Sequence, residues 1–180
     1  MSSLTDFVDL SQPSLKVAAA AIAFNPIFWN VVARQVVIFS LGIFRDNLYN
    51  EALKDQPYFA PVHQPYLAYG LFAAGNTLVL SSMWALGFTG TYLGDYFGIL
   101  MDAPVTGFPF NISGAPMYWG STMSFLAVAL YYGKVAGLVL TAEVFIVYWL
   151  ALRWEDPFTA EIYAKRERNR AKAGKNSKRA

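Results

Sequence analysis

The chain contains no cysteine, which excludes disulfide staples and thiolate chemistry. It has a single histidine, His63, and one imidazole cannot build a His-rich metal site. Charge is also scarce. Charged residues make up 14% of the 180 positions, against 56% hydrophobic residues. The length suits one domain, and the balance is too apolar for an ordinary soluble one. The charge that exists is unevenly placed: nine of the fourteen Lys and Arg residues follow Leu152, namely Arg153, Lys165, Arg166, Arg168, Arg170, Lys172, Lys175, Lys178 and Arg179. A net charge of +2 therefore conceals an apolar body with a basic tail. Beside a membrane helix, such a tail reads as the cytoplasmic flank of the positive-inside rule, within reach of anionic lipid. Nucleic acid is disfavoured as a partner, because no basic face recurs elsewhere. The first twelve residues hold Asp6 and Asp9 and no Lys or Arg, which does not match a cleavable signal peptide.

The apolar segments point to an all-α integral membrane bundle. Val17–Val32 is interrupted by Asn25-Pro26 and is shorter than the roughly twenty residues of a full span, so a kinked, interfacial or re-entrant helix is expected. Val36–Phe44 is apolar but too short to cross, and Arg45–Gln64, polar with Pro57 and Pro61, reads as a loop. Pro65–Phe88, with no charge, is the clearest span. Thr89–Ala115 carries Pro104, Pro109 and five glycines. Backbone this irregular cannot face lipid, so it lies at the interface or packs against protein. Met117–Tyr132 and Val135–Leu152, joined by Gly133-Lys134, predict a tight C-terminal helical hairpin with Trp119, Tyr131, Tyr132, Tyr148 and Trp149 near its ends as an aromatic belt. It is expected to stop at Trp154-Glu-Asp-Pro-Phe158. The expected organisation is a membrane domain over residues 1–164 and a basic, disordered cytoplasmic tail over 165–180.

Several residues are candidates for chemistry. Glu155 and Asp156 directly follow the last apolar stretch, where adjacent carboxylates suit an organic cation; the plainer alternative is a solvated helix end. Tyr118-Trp119-Gly120 opens a helix after Pro116. Its unsatisfied N–H groups suit a ligand carboxylate or hydroxyl, and its rings suit adenine or a cation, unless they only form an interfacial belt. Ala73-Ala74-Gly75 lies inside the best span, where small residues usually serve close helix packing and otherwise admit a ligand to the backbone. Glu143, in the last apolar arm, is an intramembrane carboxylate that either faces a partner or is protonated and packed, and Lys134 is placed to snorkel to the interface. His63, in Pro-Val-His-Gln-Pro, reads as a satisfied loop residue.

Taken together, Phe24-Asn-Pro-Ile-Phe-Trp-Asn-Val-Val-Ala-Arg34, Leu78-Val-Leu-Ser-Ser82, Gly90-Thr-Tyr-Leu-Gly-Asp-Tyr-Phe-Gly98, Gly107-Phe-Pro-Phe-Asn111, Pro116-Met-Tyr-Trp-Gly-Ser-Thr122 and Pro157-Phe-Thr-Ala-Glu-Ile-Tyr163 resemble the phospholipid N-methyltransferases of the phosphatidylethanolamine methyltransferase group, in particular its fungal branch. The resemblance covers nearly the whole chain except the tail. It implies S-adenosylmethionine as methyl donor, no metal, and phospholipids with ethanolamine-type head groups as acceptors. The implied reaction converts phosphatidyl-N-methylethanolamine and phosphatidyl-N,N-dimethylethanolamine to phosphatidylcholine. The implied location is the endoplasmic reticulum membrane or a mitochondrial membrane, multi-pass, with a cytoplasmic C-terminus.

The resemblance also implies two donor-binding motifs. A Gly-x-Gly falls on Ala73-Ala74-Gly75, where only Gly75 matches, and a pair of glutamates falls on Glu155-Asp156, where the second is one methylene shorter. The family places both toward the cytosol, so the hairpin is expected to make one net crossing. The family pattern carries a longer segment between Arg34 and Val36, including the beginning of its first full span. Two other functions stay in view: a membrane methyltransferase with another acceptor, such as an isoprenylcysteine carboxylate, and a shortened, inactive isoform that pairs with the longer enzyme.

Overall fold

The computed structural model describes residues 8–9, 11–29, 35–91, 101 and 104–177. These form five α-helices and one short 3-10 turn: α1 Pro13–Trp29, α2 Gln35–Lys54, the turn Ala60–Val62, α3 Pro65–Thr91, α4 Pro116–Tyr132 and α5 Val135–Ser177. Among the described residues there is no sheet, only one isolated bridge between Tyr58 and Lys134.

The C-terminal hairpin forms as its sequence predicts. Gly133 ends α4 in the left-handed region (φ 62°, ψ 41°), and its N–H reaches the Ala129 and Leu130 carbonyls, satisfying the last turn of the helix. A side chain there would strain the backbone, and its Cβ would meet a Tyr58 ring carbon at 2.7 Å. The preceding connection clamps this turn. Phe59 N–H donates to the Gly133 carbonyl and Gln64 N–H to that of Leu130, both at 3.0 Å or less. Lys134 turns inward, its Nζ donating to the Gln56 carbonyl, rather than snorkelling outward. His63 sits in the same connection beside the Tyr58 ring, and its buried Nδ1 lacks a partner among the described residues, contrary to the satisfied loop residue expected.

α3 lies antiparallel on α4, and its helix bends at Gly87 (φ 64°) near the predicted end of the span. Its outer face is left bare. Tyr66 is 89% and Trp84 90% exposed. Such a surface on a long apolar helix suits lipid rather than water. The stretches Pro65–Gly87 and Val135–Arg170 are long and apolar enough to cross a membrane by length and composition.

α1, α2 and α5 share one core with α4. Leu15, Ala18 and Ile22 of α1, Tyr49 and Leu53 of α2, Phe125 of α4, and Leu140, Val144 and Tyr148 of α5 are buried together. At its centre the Tyr49 hydroxyl donates to the Phe125 carbonyl at 2.9 Å and lies 3.2 Å from that of Gly137.

α1 is helical through Asn25-Pro26 to Trp29. Two expectations change. α2 extends to Lys54, although Arg45 onward reads as loop. Its polar residues support the helix on the outer face, with Asn50 Nδ2 donating to the Asp46 carbonyl and Lys54 pairing with Glu51, while Tyr49, Ala52 and Leu53 recur at helical spacing on the buried face. α5 passes Trp154–Phe158 and continues to Ser177, so the stretch from Lys165 read as a disordered tail is helical. Pro157 removes one backbone donor there. The Ala-, Glu-, Lys- and Arg-rich sequence after it is a strong helix former and carries the helix on.

Candidate active site

The predicted site residues gather around the first turns of α4. Tyr118 points at α5, where its hydroxyl donates to Glu155 Oε2 at 2.5 Å. The Tyr118 ring packs edge-on against Tyr148, with centroids 4.8 Å apart. Tyr148 in turn accepts a hydrogen bond from Arg45 Nη1 at 2.6 Å. The guanidinium also lies over the Phe125 ring and forms an ion pair with Asp46 at 2.8 Å. A chain of contacts therefore runs from Asp46 through Arg45, Tyr148 and Tyr118 to Glu155, polar at both ends and joined in the middle by the two tyrosine rings, linking α2, α5 and α4. Its α2 end was missed in the sequence, where Arg45 and Asp46 were assigned to a loop.

Trp119, the neighbour of Tyr118, turns outward. It is 47% exposed and tilts against Phe145 of α5. Its own N–H is taken up by the Ala115 carbonyl at 3.4 Å, and Ala115 N–H by Ser113 Oγ, so the helix start is partly satisfied from within. Trp154, next to Glu155, is 67% exposed. A partly buried carboxylate flanked by open indole and phenol rings is suited to an organic cation that carries a flat ring system. Asp156 continues the helix after Glu155; its side chain lies outside the described residues.

Of the small residues on α3, Ala73 and Ala74 are exposed, and Gly75 is buried against α4. A Cβ at Gly75 would stand 2.5 Å from the Gly120 carbonyl oxygen, and one at Gly120 would stand 2.5 Å from that of Gly75. The two helices meet backbone to backbone, which is the packing role open to small residues in the sequence. Gly75 thus meets α4 at Gly120, two residues beyond Tyr118, on the side that faces α3 while Tyr118 faces α5. Further along α5, Arg166 donates to the Met101 carbonyl. The Gly90–Gly98 stretch lies outside the described residues from Tyr92 onward. Glu143 is partly buried on α5, away from this cluster.

The phospholipid methyltransferase family matches residues 63–166, which contain α3, the intervening loop, the α4–α5 turn and Glu155. The chain is 64% identical to a phosphatidyl-N-methylethanolamine N-methyltransferase of Emericella nidulans, over 99% of both chains. It is 52% identical to that of Saccharomyces cerevisiae over 94% of this chain and 92% of the relative. It is 44% identical to the phosphatidylethanolamine N-methyltransferase of Rattus norvegicus over 92% and 96%. The first of these alignments extends over 200 positions against a chain of 180 residues, so gaps fall in this chain. No solved structure matches. With its helix pair, its carboxylate junction and these relatives, the chain belongs to the phospholipid methyltransferase family.

Proposed function

We propose that the chain transfers methyl groups from S-adenosylmethionine to the head-group nitrogen of phosphatidyl-N-methylethanolamine and phosphatidyl-N,N-dimethylethanolamine, yielding phosphatidylcholine. The observation that carries the site assignment is the Tyr118 hydroxyl bonded to Glu155 at the junction of α4 and α5.

The donor is a co-substrate that supplies an electrophilic methyl group on a sulfonium. Glu155, with Asp156 after it, binds the donor's positive charge. The Tyr118 hydroxyl fixes the Glu155 carboxylate in place, so that little ordering remains to be done on binding. Trp119 offers a ring face to the donor or to the increasingly methylated amine. Gly75 and Gly120 let α3 and α4 close to backbone distance, which holds Ala73-Ala74-Gly75 beside the same helix start. The lipid amine must first lose a proton, because its lone pair is the nucleophile. The new N–C bond then forms as the S–C bond breaks, its electron pair passing to sulfur. Holding amine and methyl in line supplies much of the acceleration.

The membrane arrangement belongs to the same proposal. α1 lies at the interface or re-enters, α3 and the hairpin cross, and the basic end of α5 lies on the cytoplasmic side of the endoplasmic reticulum or a mitochondrial membrane. The Lys and Arg excess after Leu152 supports that orientation. The test of the reaction is transfer of labelled methyl to mono- and dimethylated phosphatidylethanolamine by membranes that contain this chain and no related enzyme.

A further inference from the structure

A cavity of about 280 Å³ opens where α2 and α3 stand apart over α4, at the other end of the Arg45–Tyr148–Tyr118 chain from Glu155. Its polar lining is Arg45, Asp46, Asn50, Asn76, Ser121 and Ser124. Asn50 donates its Nδ2 to the Asp46 carbonyl, Asn76 donates its Nδ2 to the Phe72 carbonyl, and Ser124 donates its hydroxyl to the Gly120 carbonyl. One N–H of each asparagine and the Ser124 hydroxyl are thus spent on their own helices, and Asn50 Oδ1, Asn76 Oδ1 and Ser124 Oγ stand as acceptors beside the second amide N–H of each asparagine. Asp46 adds charge to this set. Arg45 Nε and Nη2 both bond to Asp46 Oδ1, and Oδ2 has no partner among the described residues. The Asp46 side chain is 57% exposed, whereas that of Arg45 is 11% exposed. The guanidinium reaches Tyr148, and both Arg45 and Asp46 line the cavity. The apolar walls are the rings of Tyr49, Phe72 and Phe125 with Val79 and Val128.

Acceptor oxygens, one carboxylate edge and aromatic walls together select a cation that carries N–H groups and methyl groups. We infer that this cavity seats the methylated ammonium head group of the acceptor lipid, with Asp46 Oδ2 as its charged partner. The inference rests on the methyl-transfer function proposed above and assigns the acceptor side of the same reaction. Mono- and dimethylated ammonium groups donate to Asp46 and the two asparagines. A quaternary product has no N–H left, keeps only the ring contacts and the charge, and is released more readily. The cavity continues past Asn50, Phe72 and Val128 into a second one of about 210 Å³ walled by Tyr69, Tyr131 and Tyr132, which gives an acyl chain a path along α4.

The experiment measures two things on purified chain in detergent: binding of a short-chain phosphatidyl-N,N-dimethylethanolamine, and the KM values for that lipid and for S-adenosylmethionine. Asp46→Asn is expected to weaken lipid binding and raise the lipid KM about tenfold, the scale of one charged hydrogen bond, with the donor KM within twofold of wild type. Phe72→Leu is expected to weaken lipid binding several-fold, and Phe72→Tyr to restore it. If Asp46→Asn does not fold, the Phe72 pair decides alone. Unchanged lipid binding in Asp46→Asn or Phe72→Leu protein overturns the inference. A raised donor KM with an unchanged lipid KM overturns it as well, because the cavity would then hold the donor's cation. Lipid binding that responds to Asp46→Asn in a chain that transfers no methyl would uphold the cavity assignment and refute the methyl-transfer function.

Discussion

Gly75 of α3 and Gly120 of α4 face each other so closely that a Cβ built on either would stand 2.5 Å from the other's carbonyl oxygen. Backbone cannot give way as a flexible side chain can, so Gly75→Ala must push the helices apart. The expected loss is about 1–3 kcal/mol, as for other overpacked interiors, and it outweighs the gain of about 1 kcal/mol that alanine brings in helix propensity. Gly70, in the same helix, has nothing within 4 Å of its notional Cβ. Gly70→Ala is expected to leave stability unchanged or raise it. Unfolding midpoints of the two variants in detergent check the contrast, and equal midpoints would mean that the helices are not held at this distance.

Tyr118→Phe removes the hydroxyl that bonds Glu155 and leaves the ring on Tyr148. Hydrogen bonds to charged groups contribute about 1.5–3 kcal/mol, so the donor's dissociation constant is expected to rise about tenfold or more with the fold intact. Equilibrium binding of labelled S-adenosylmethionine measures this directly, and wild-type affinity in the variant would detach Tyr118 from the donor site.

Tyr49→Phe tests the core rather than the chemistry. The buried hydroxyl sits between the carbonyls of Phe125 and Gly137 and joins α2 to both arms of the hairpin. Its loss is expected to cost about 1–2 kcal/mol of stability, read as a lower thermal midpoint. Donor affinity per folded molecule should not change.

Much of this molecule was legible in its sequence, for physical reasons that also mark where legibility stopped. Pro65–Phe88 and the Gly133-Lys134 hairpin are continuous apolar runs bounded by turn residues, and a helix in lipid needs little more to be recognised. α2 is different. From Arg45 to Lys54 only four of ten residues are apolar, and the inward stripe of Tyr49, Ala52 and Leu53 is hidden among Arg, Asp, Asn and Glu. Run length missed it, and with it the Arg45–Asp46 pair; helical spacing would have found both. The end of α5 was misplaced because Pro157 and two carboxylates look like a stop, while the helix formers beyond them prevail. The packing option at Gly75 was readable from its size, but its partner Gly120, forty-five positions on, emerges only once α3 and α4 are antiparallel.

The central claim is that this chain methylates phospholipid amines through a donor site at Glu155 and Asp156. The most direct measurement is formation of labelled phosphatidylcholine from labelled S-adenosylmethionine and dimethylated phosphatidylethanolamine. It is made in liposomes that hold the purified chain, beside liposomes that hold an equal amount of folded Glu155→Gln, Asp156→Asn double variant. The account predicts labelled phosphatidylcholine from the first and a rate lower by about a hundredfold or more from the second, as two charged contacts are lost. Folded, inserted wild-type chain that forms no labelled phosphatidylcholine would contradict the function, and a double variant as fast as wild type would contradict the site.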